Sequence, residues 1–188
     1  MSHQENTSVA RDIRIHGIPI KEGENTVSLL NLFDKICQVV KITAPYIESI
    51  YRMKKTSSPR NDPDIIVRLK SSYDRNFVLR SIAKHCRSAQ KQLSLREIGL
   101  DSDVSLYVHE CLTKANYDCL KLALRLKKQQ KLHAAFTRRG LVHVKQTENS
   151  DLICFDTEHK ISELLKLNSG VPSQFFPAIN QNAQLEEY

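Results

Sequence analysis

The sequence predicts an α+β fold in two modules, one over roughly the first 110 residues and a shorter one after it. Three observations carry this. Short runs such as residues 13–19 alternate apolar with polar side chains, the period of a strand buried on one face. Longer stretches between them repeat apolar residues every three or four positions, the period of a helix packed on one side. Near the C-terminus, Arg139-Gly140 separates two strand-like runs by the two residues of a tight hairpin.

The first strand, IRIHGIP, puts Ile13 and Ile15 on one face and Arg14 and His16 on the other, and Gly17-Ile18-Pro19 ends it. Asn25 or Thr26 can cap a helix in which Val27, Leu30, Phe33, Ile36, Cys37 and Val40 recur at helical spacing. Pro45 precedes a second strand over 46–53, and the polar loop KKTSSPRNDPD leads to a third over 65–70. Across 71–85, Phe77, Val78 and Ile82 lie opposite the Arg and Lys positions of a helix. Residues 93–98 and 104–109 can pair as strands around a turn at 99–103. The resulting β-α-β-β-α-β order is that of the ferredoxin-type split βαβ fold.

In the second module Thr113 caps a helix running to about Gln130, with Leu120, Ala123, Leu124 and the Tyr117 ring on one face. Strands over 134–138 and 141–146 flank the Arg139-Gly140 turn, a third covers 152–155, and a short helix covers 158–167. This α-β-β-β-α segment is too small to bury much core alone and is expected to pack against the first module. The expected organisation is a disordered start over 1–10, modules over 11–110 and 111–168, and a flexible tail over 169–188 without Lys or Arg.

Hydrophobic residues at 40% and charged residues at 26% describe a globular chain. No apolar run approaches the roughly 20 residues that cross a bilayer, so no membrane partner is expected. The opening MSHQENTSVARD is too polar for a signal or transit peptide. The five cysteines, Cys37, Cys86, Cys111, Cys119 and Cys154, are odd in number and scattered. That fits reduced thiols and a nuclear or cytoplasmic setting better than a disulfide framework. Lys and Arg outnumber Asp and Glu by 28 to 21, for a net charge of +7. Eight of the basic residues fall between Lys121 and Lys145 with no acid among them: Lys121, Arg125, Lys127, Lys128, Lys131, Arg138, Arg139 and Lys145. A second acid-free run, 50–60, carries Arg52, Lys54, Lys55 and Arg60. One such run is commonly a solvated face, but two single-sign runs point to a polyanionic partner, because solubility alone favours mixed signs.

The order IRIHGIP, IESIYRMKK, DIIVRLKSSYDRNFVLRSIAK, VSLYVHECLT and HAAFTRRGLVHVK resembles that of LINE-type retrotransposon first-open-reading-frame proteins. It is similar in particular to the C-terminal domain of the baculovirus few-polyhedra (FP) protein and its insect, transposon-derived relatives. The resemblance covers about residues 11–167. It implies an RNA-recognition-like module followed by the FP/LINE-type C-terminal module, in a non-catalytic protein that binds single-stranded RNA or DNA and acts as a nucleic-acid chaperone. Family arginines on the second strand, the loop after it and the C-terminal hairpin contact phosphates; the matching positions are Arg52, Lys54, Lys55, Arg138 and Arg139. Relatives usually carry a trimerising coiled coil before the first strand, and insect members often a zinc finger. This sequence shows neither, so the avidity that trimerisation supplies is not carried over.

Strand alternation adds surface candidates. With Ile13 and Ile15 inward, Arg14 and His16 face out; with Ile65, Val67 and Leu69 inward, Ile66, Arg68 and Lys70 face out; with Val104, Leu106 and Val108 inward, Ser105, Tyr107 and His109 face out. RNA-recognition modules usually stack bases on aromatic residues of the first and third strands. Here those places hold Arg14, Ile66 and Arg68, which leaves Tyr107 as the candidate platform and phosphate contacts as the main source of affinity. The candidate nucleic-acid-binding residues are thus Arg14, Arg52, Lys54, Lys55, Arg60, Arg68, Lys70 and Tyr107 in the first module, and Arg125, Lys128, Arg138, Arg139 and Lys145 in the second.

Catalysis is not expected. The five glycines form neither GxxxxGK nor GxGxxG, and no Cys/His or carboxylate pair is singled out. His109-Glu110-Cys111 with Cys119 does not supply the close ligand pairs of structural zinc, so no metal or other cofactor is expected. The competing expectation is a domesticated protein-interaction module that has lost nucleic-acid binding and docks a partner protein, or itself, through its sheet face or its acidic tail with Phe175-Phe176.

Overall fold

The computed structural model describes residues 9–54 and 62–155. Among them it is mixed α+β, with three helices and two antiparallel sheets. The chain divides into two compact units, one of Ala10–Cys111 and one that takes in the residues from Leu112 onward. The expected helix over 158–167 and the tail over 169–188 lie outside the described residues.

The first unit runs β1 (Asp12–His16), α1 (Thr26–Val39), β2 (Ile47–Arg52), β3 (Ile65–Leu69), α2 (Ser72–Ala89), β4 (Tyr107–Glu110). Its sheet has the order β2-β3-β1-β4, with every neighbouring pair antiparallel. Alternation sends Ile13 and Ile15 of β1, Ile65, Val67 and Leu69 of β3 and Ile50 of β2 into one core. Leu29, Phe33, Ile36 and Cys37 of α1 and Val78 and Ile82 of α2 complete it, so both helices cover the same face of the sheet. Asn25 caps α1 by accepting from the Ser28 backbone, while the Ser28 hydroxyl accepts from the Asn25 N–H. Gly17 leaves β1 with φ 96°, and a Cβ there would lie 2.9 Å from the Ser105 carbonyl oxygen; the close approach of the two chains requires glycine.

Several expectations fail locally. Val27 is 64% exposed and Phe77 42% exposed, whereas Arg75, on the supposedly polar side of α2, is fully buried. Residues 93–98 do not form a strand: Ser94 and Ser105 make an isolated bridge and 95–99 turn, although Leu93, Leu95 and Ile98 all reach the core. Ile66, expected outward, is buried, and Val104, expected inward, is exposed.

In the second unit α3 (Lys114–Lys128) packs on a sheet of order β5-β6-β7, formed by Ala134–Arg138, Leu141–Lys145 and Ile153–Phe155. Thr113 caps α3 through the Asn116 N–H. The buried stripe is Asn116, Cys119, Ala123 and Leu126, displaced from the expected one, so Tyr117 stands exposed. This stripe meets Leu132, Ala135, Val142, Val144 and Phe155. Arg139 (φ 57°) and Gly140 (φ 78°) make the two-residue hairpin turn, both in the left-handed region that matches the twist of the flanking strands.

The buried Arg75 reaches β4, with its Nη1 3.4 Å from Glu110 Oε2, and both side chains are less than a tenth exposed. Removing one member of such a pair leaves a charge without its counter-ion in the interior. Arg75→Ala is expected to lower stability by about 3–5 kcal/mol in denaturant unfolding, and the paired apolar replacement Arg75→Met with Glu110→Leu to cost far less.

Candidate nucleic-acid interface

The face of the first sheet away from the helices carries its polar side chains in rows fixed by register. Arg14 lies opposite His109 on one side and Ile66 on the other, with Tyr51 beyond; His16 lies opposite Tyr107. Two carboxylates on this face are almost wholly buried, Asp12 at 3% and Asp64 at 7% exposure. Both are held by cations. Asp64 accepts from Arg14 Nε, and its other oxygen lies 2.6 Å from His16 Nδ1. Asp12 takes the Arg68 guanidinium in a two-pronged contact, Nε and Nη2 each at 2.8 Å, which pushes the already high pKa of Arg68 higher.

Arg52 is more deeply engaged still. Its Nε and Nη2 donate to the two carboxylate oxygens of Glu24 at 2.6 and 2.5 Å, and its Nη1 donates to the carbonyls of Ile18 and Pro63. Its side chain is 10% exposed. The acid-free run in the sequence is therefore compensated in space by a glutamate 28 positions earlier. Three arginines expected to meet phosphates, Arg14, Arg52 and Arg68, spend their donors inside the first unit. Lys54 and Lys70 are exposed and have no carboxylate partner among the described residues, while Lys55 and Arg60 lie outside the described residues. Tyr51 and Tyr107 are 48% and 40% exposed, and Tyr107 leans on His16 at a ring separation of 6.5 Å.

His109 faces the same side but is only partly exposed, with Arg14 as its neighbour. Burial, and then the Arg14 charge, lower its pKa to about 4. The thiols of Cys37 and Cys111 are pushed up to about 12 by burial, which makes them poor nucleophiles. Among the described residues no three His, Cys, Asp or Glu side chains gather as metal ligands would.

The second unit differs in its electrostatics. Its described residues from Leu112 to Phe155 carry nine Lys and Arg against three acids, Asp118, Glu148 and Asp151. Asp118 is taken by Lys114 at 2.6 Å. Arg125, Lys128, Lys131, Arg138 and Arg139 are exposed and have no carboxylate partner among the described residues. Lys145 donates to the Glu148 backbone carbonyl at 3.1 Å, and Lys121 sits over the Tyr117 ring.

These cations do not form one cluster. Asn116, in the first turn of α3, donates from Nδ2 to the Gly140 carbonyl at 2.6 Å and ties the hairpin tip to that end of the helix. Arg138 and Arg139 therefore lie near the start of α3, while Arg125, Lys128 and Lys131 lie at its other end. Twelve residues of helix separate Asn116 from Lys128, about 18 Å of rise. Near that far end the His133 N–H bonds the Lys145 carbonyl. The contiguous basic run of the sequence becomes a two-ended track. The spatial partners Asp12, Asp64 and Glu24, and the near-parallel rings of Phe136 and His143 on neighbouring strands of the second sheet, escape a reading by charge runs alone. Asp12 did leave a trace: it shares strand parity with Arg14.

No protein-family model matches the chain, and no curated protein sequence matches it.

Two measurements test this geometry. Arg52→Ala is expected to destabilise the fold by about 3 kcal/mol or more, since it strands Glu24 and two carbonyls, and to do so whether or not nucleic acid is present. Because the folded-state pKa of His109 lies below its ordinary value of 6.5, the unfolded chain binds the extra proton first. Stability is then full above about pH 6.5 and falls as pH drops toward 4. Thermal unfolding across that range should flatten in His109→Gln.

Proposed function

We propose that the chain is a non-catalytic binder of single-stranded RNA or DNA, held mainly by phosphate contacts made by the second unit. The supporting observation is the set of exposed cations, Arg138 and Arg139 at the hairpin tip and Arg125, Lys128 and Lys131 at the end of α3, without carboxylate partners among the described residues. Arg139 adds to this. Among the described residues it is the non-glycine residue of positive φ that sits at a hairpin tip; Lys41, Gln90 and Gln130 end helices instead. A side chain held in that region at a turn where Asn or Gly would relax the backbone fits a use for its charge.

The strand order β2-β3-β1-β4 with both helices on one face supports reading the first unit as a ferredoxin-type, RNA-recognition-like module. In the same reading the second unit is the FP/LINE-type C-terminal module of a retrotransposon-derived protein, working as a nucleic-acid chaperone in the nucleus or cytoplasm. The ion pairs of Arg14, Arg52 and Arg68 make the first sheet a weak phosphate surface by comparison. They favour a second use for that sheet: with Arg14, Arg52 and Arg68 neutralised and Tyr51, Met53 and Tyr107 exposed, it suits a partner protein or another copy of the chain better than a polyanion.

The salt dependence of binding decides between phosphate contact and its absence. Each phosphate contact to a single strand contributes about 0.7 to the slope of log affinity against log salt. Changing Arg138 and Arg139 together to Ala should lower that slope by about 1.4 and weaken RNA and DNA strands of any sequence alike. Arg14→Ala and Arg68→Ala should leave the slope unchanged. No binding of labelled strands at low salt would leave the partner-protein function.

A further inference from the structure

We propose that the face of the three-stranded sheet turned away from α3 is a stacking platform for unpaired bases, made by the rings of Phe136 and His143 and bounded by Arg138 and Lys145. It rests on the binding function proposed above and gives that function a base-contacting element. The two faces of this sheet are distinct. Ala135, Val142, Val144 and Phe155 enter the core shared with α3, so strand alternation turns Phe136, Arg138, His143 and Lys145 to the opposite face.

Phe136 and His143 are directly paired across β5 and β6, their ring centroids 5.7 Å apart and their planes within 11° of parallel. Both are partly exposed. The His143 ring is held in place, since its Nδ1–H donates to the Leu141 carbonyl at 3.2 Å. Two near-parallel rings fixed on adjacent strands offer a surface onto which a third planar ring can extend the stack.

The setting specifies what that ring belongs to. Arg138 follows Phe136 by two residues toward the hairpin tip, and Lys145 follows His143 by two residues toward the opposite end. The two cations thus bracket the rings along about 13 Å of strand. None of the three strands carries an acidic residue. A ring pair serving only to brace the hairpin needs no such flanking charge. Planar rings between cations match a phosphodiester chain whose bases are unstacked, the arrangement by which single strands are held without sequence reading. A duplex keeps its base faces covered and cannot use it.

The test compares a short labelled oligothymidylate with an abasic strand of the same number of phosphates, titrated against the full chain at fixed low salt. The wild type should bind the base-bearing strand about tenfold more tightly, the size of one base–aromatic stack. Phe136→Leu should bind both strands equally while keeping the salt slope. Phe136→Trp supplies the only tryptophan of the chain and keeps an aromatic ring should the leucine variant fold poorly. Its emission should be quenched by oligothymidylate and not by the abasic strand. Equal binding of both strands by the wild type, a preference that survives Phe136→Leu, or tryptophan emission unchanged at saturation would each overturn the platform and leave phosphate binding standing. Binding of neither strand would remove both.

Discussion

A carboxylate withdrawn from water must meet a cation or hydrogen-bond donors, and in the first unit that requirement decides which arginines remain available. Asp12 and Asp64 are buried on the outer face of the four-stranded sheet, and Glu24 is nearly so beside it. Between them they hold Arg14, His16, Arg68 and Arg52. Isolated burial of those carboxylates would cost several kcal/mol each, more than a surface phosphate contact returns in salt water. The arginines are therefore committed to the fold before any ligand arrives.

The same requirement bears on the cations of the second unit's described residues, which have few carboxylates near them. The unit's small core is built from Cys119, Ala123, Leu126, Val142, Val144 and Phe155, and among its described residues no carboxylate is buried. With no buried acid to neutralise among the described residues, Arg138 and Arg139 stay at the surface at the hairpin tip, and Arg125 and Lys128 at the end of α3 where the helix dipole favours them. Part of that basic density is thus helix-end electrostatics. Arg138 and Arg139 have no such account, since they sit at a strand end and a turn.

Much of this architecture was legible in the sequence. Asn25 and Thr113 announced their helices through capping chemistry, and Arg139-Gly140 announced the hairpin because glycine accepts a positive φ. Other features were not. The three described helices are each ended or immediately followed by a non-glycine residue in the left-handed region, Lys41, Gln90 and Gln130, which sequence rules tuned to glycine do not flag. Arg75 reads as a solvated helix residue because its partner Glu110 lies 35 positions away, and only the packing of α2 on β4 brings them together. The candidate interface suffered most from this. A run without acids is a local property, whereas charge compensation is spatial, so Arg52 reads as uncompensated in the sequence although Glu24 lies beside it in the fold. Residues 93–98 failed for the opposite reason: their apolar pattern correctly marks burial, but burial there is met by a turn and not by a strand.

Charge alone does not account for a preference for single strands. A duplex presents one phosphate charge per about 1.7 Å of its axis against about 3.4 Å for one strand, so a surface of bare cations binds duplex at least as well. Discrimination needs a contact that only unpaired nucleotides can make, and exposed base faces are the general one. The first sheet is poorly equipped for it. The places where an RNA-recognition module sets its aromatic residues hold Arg14, Ile66 and Arg68, two of them ion-paired and one buried. Tyr107 remains, but it leans against His16 in the neighbourhood of the buried Asp64 carboxylate, a setting that does not attract a phosphate chain. The second sheet combines near-parallel rings with flanking cations on strands free of acids. If the protein distinguishes one strand from two, the rings and flanking cations of the small C-terminal sheet are the feature suited to it, whereas on the first sheet Arg14, Arg52 and Arg68 are already held by carboxylates.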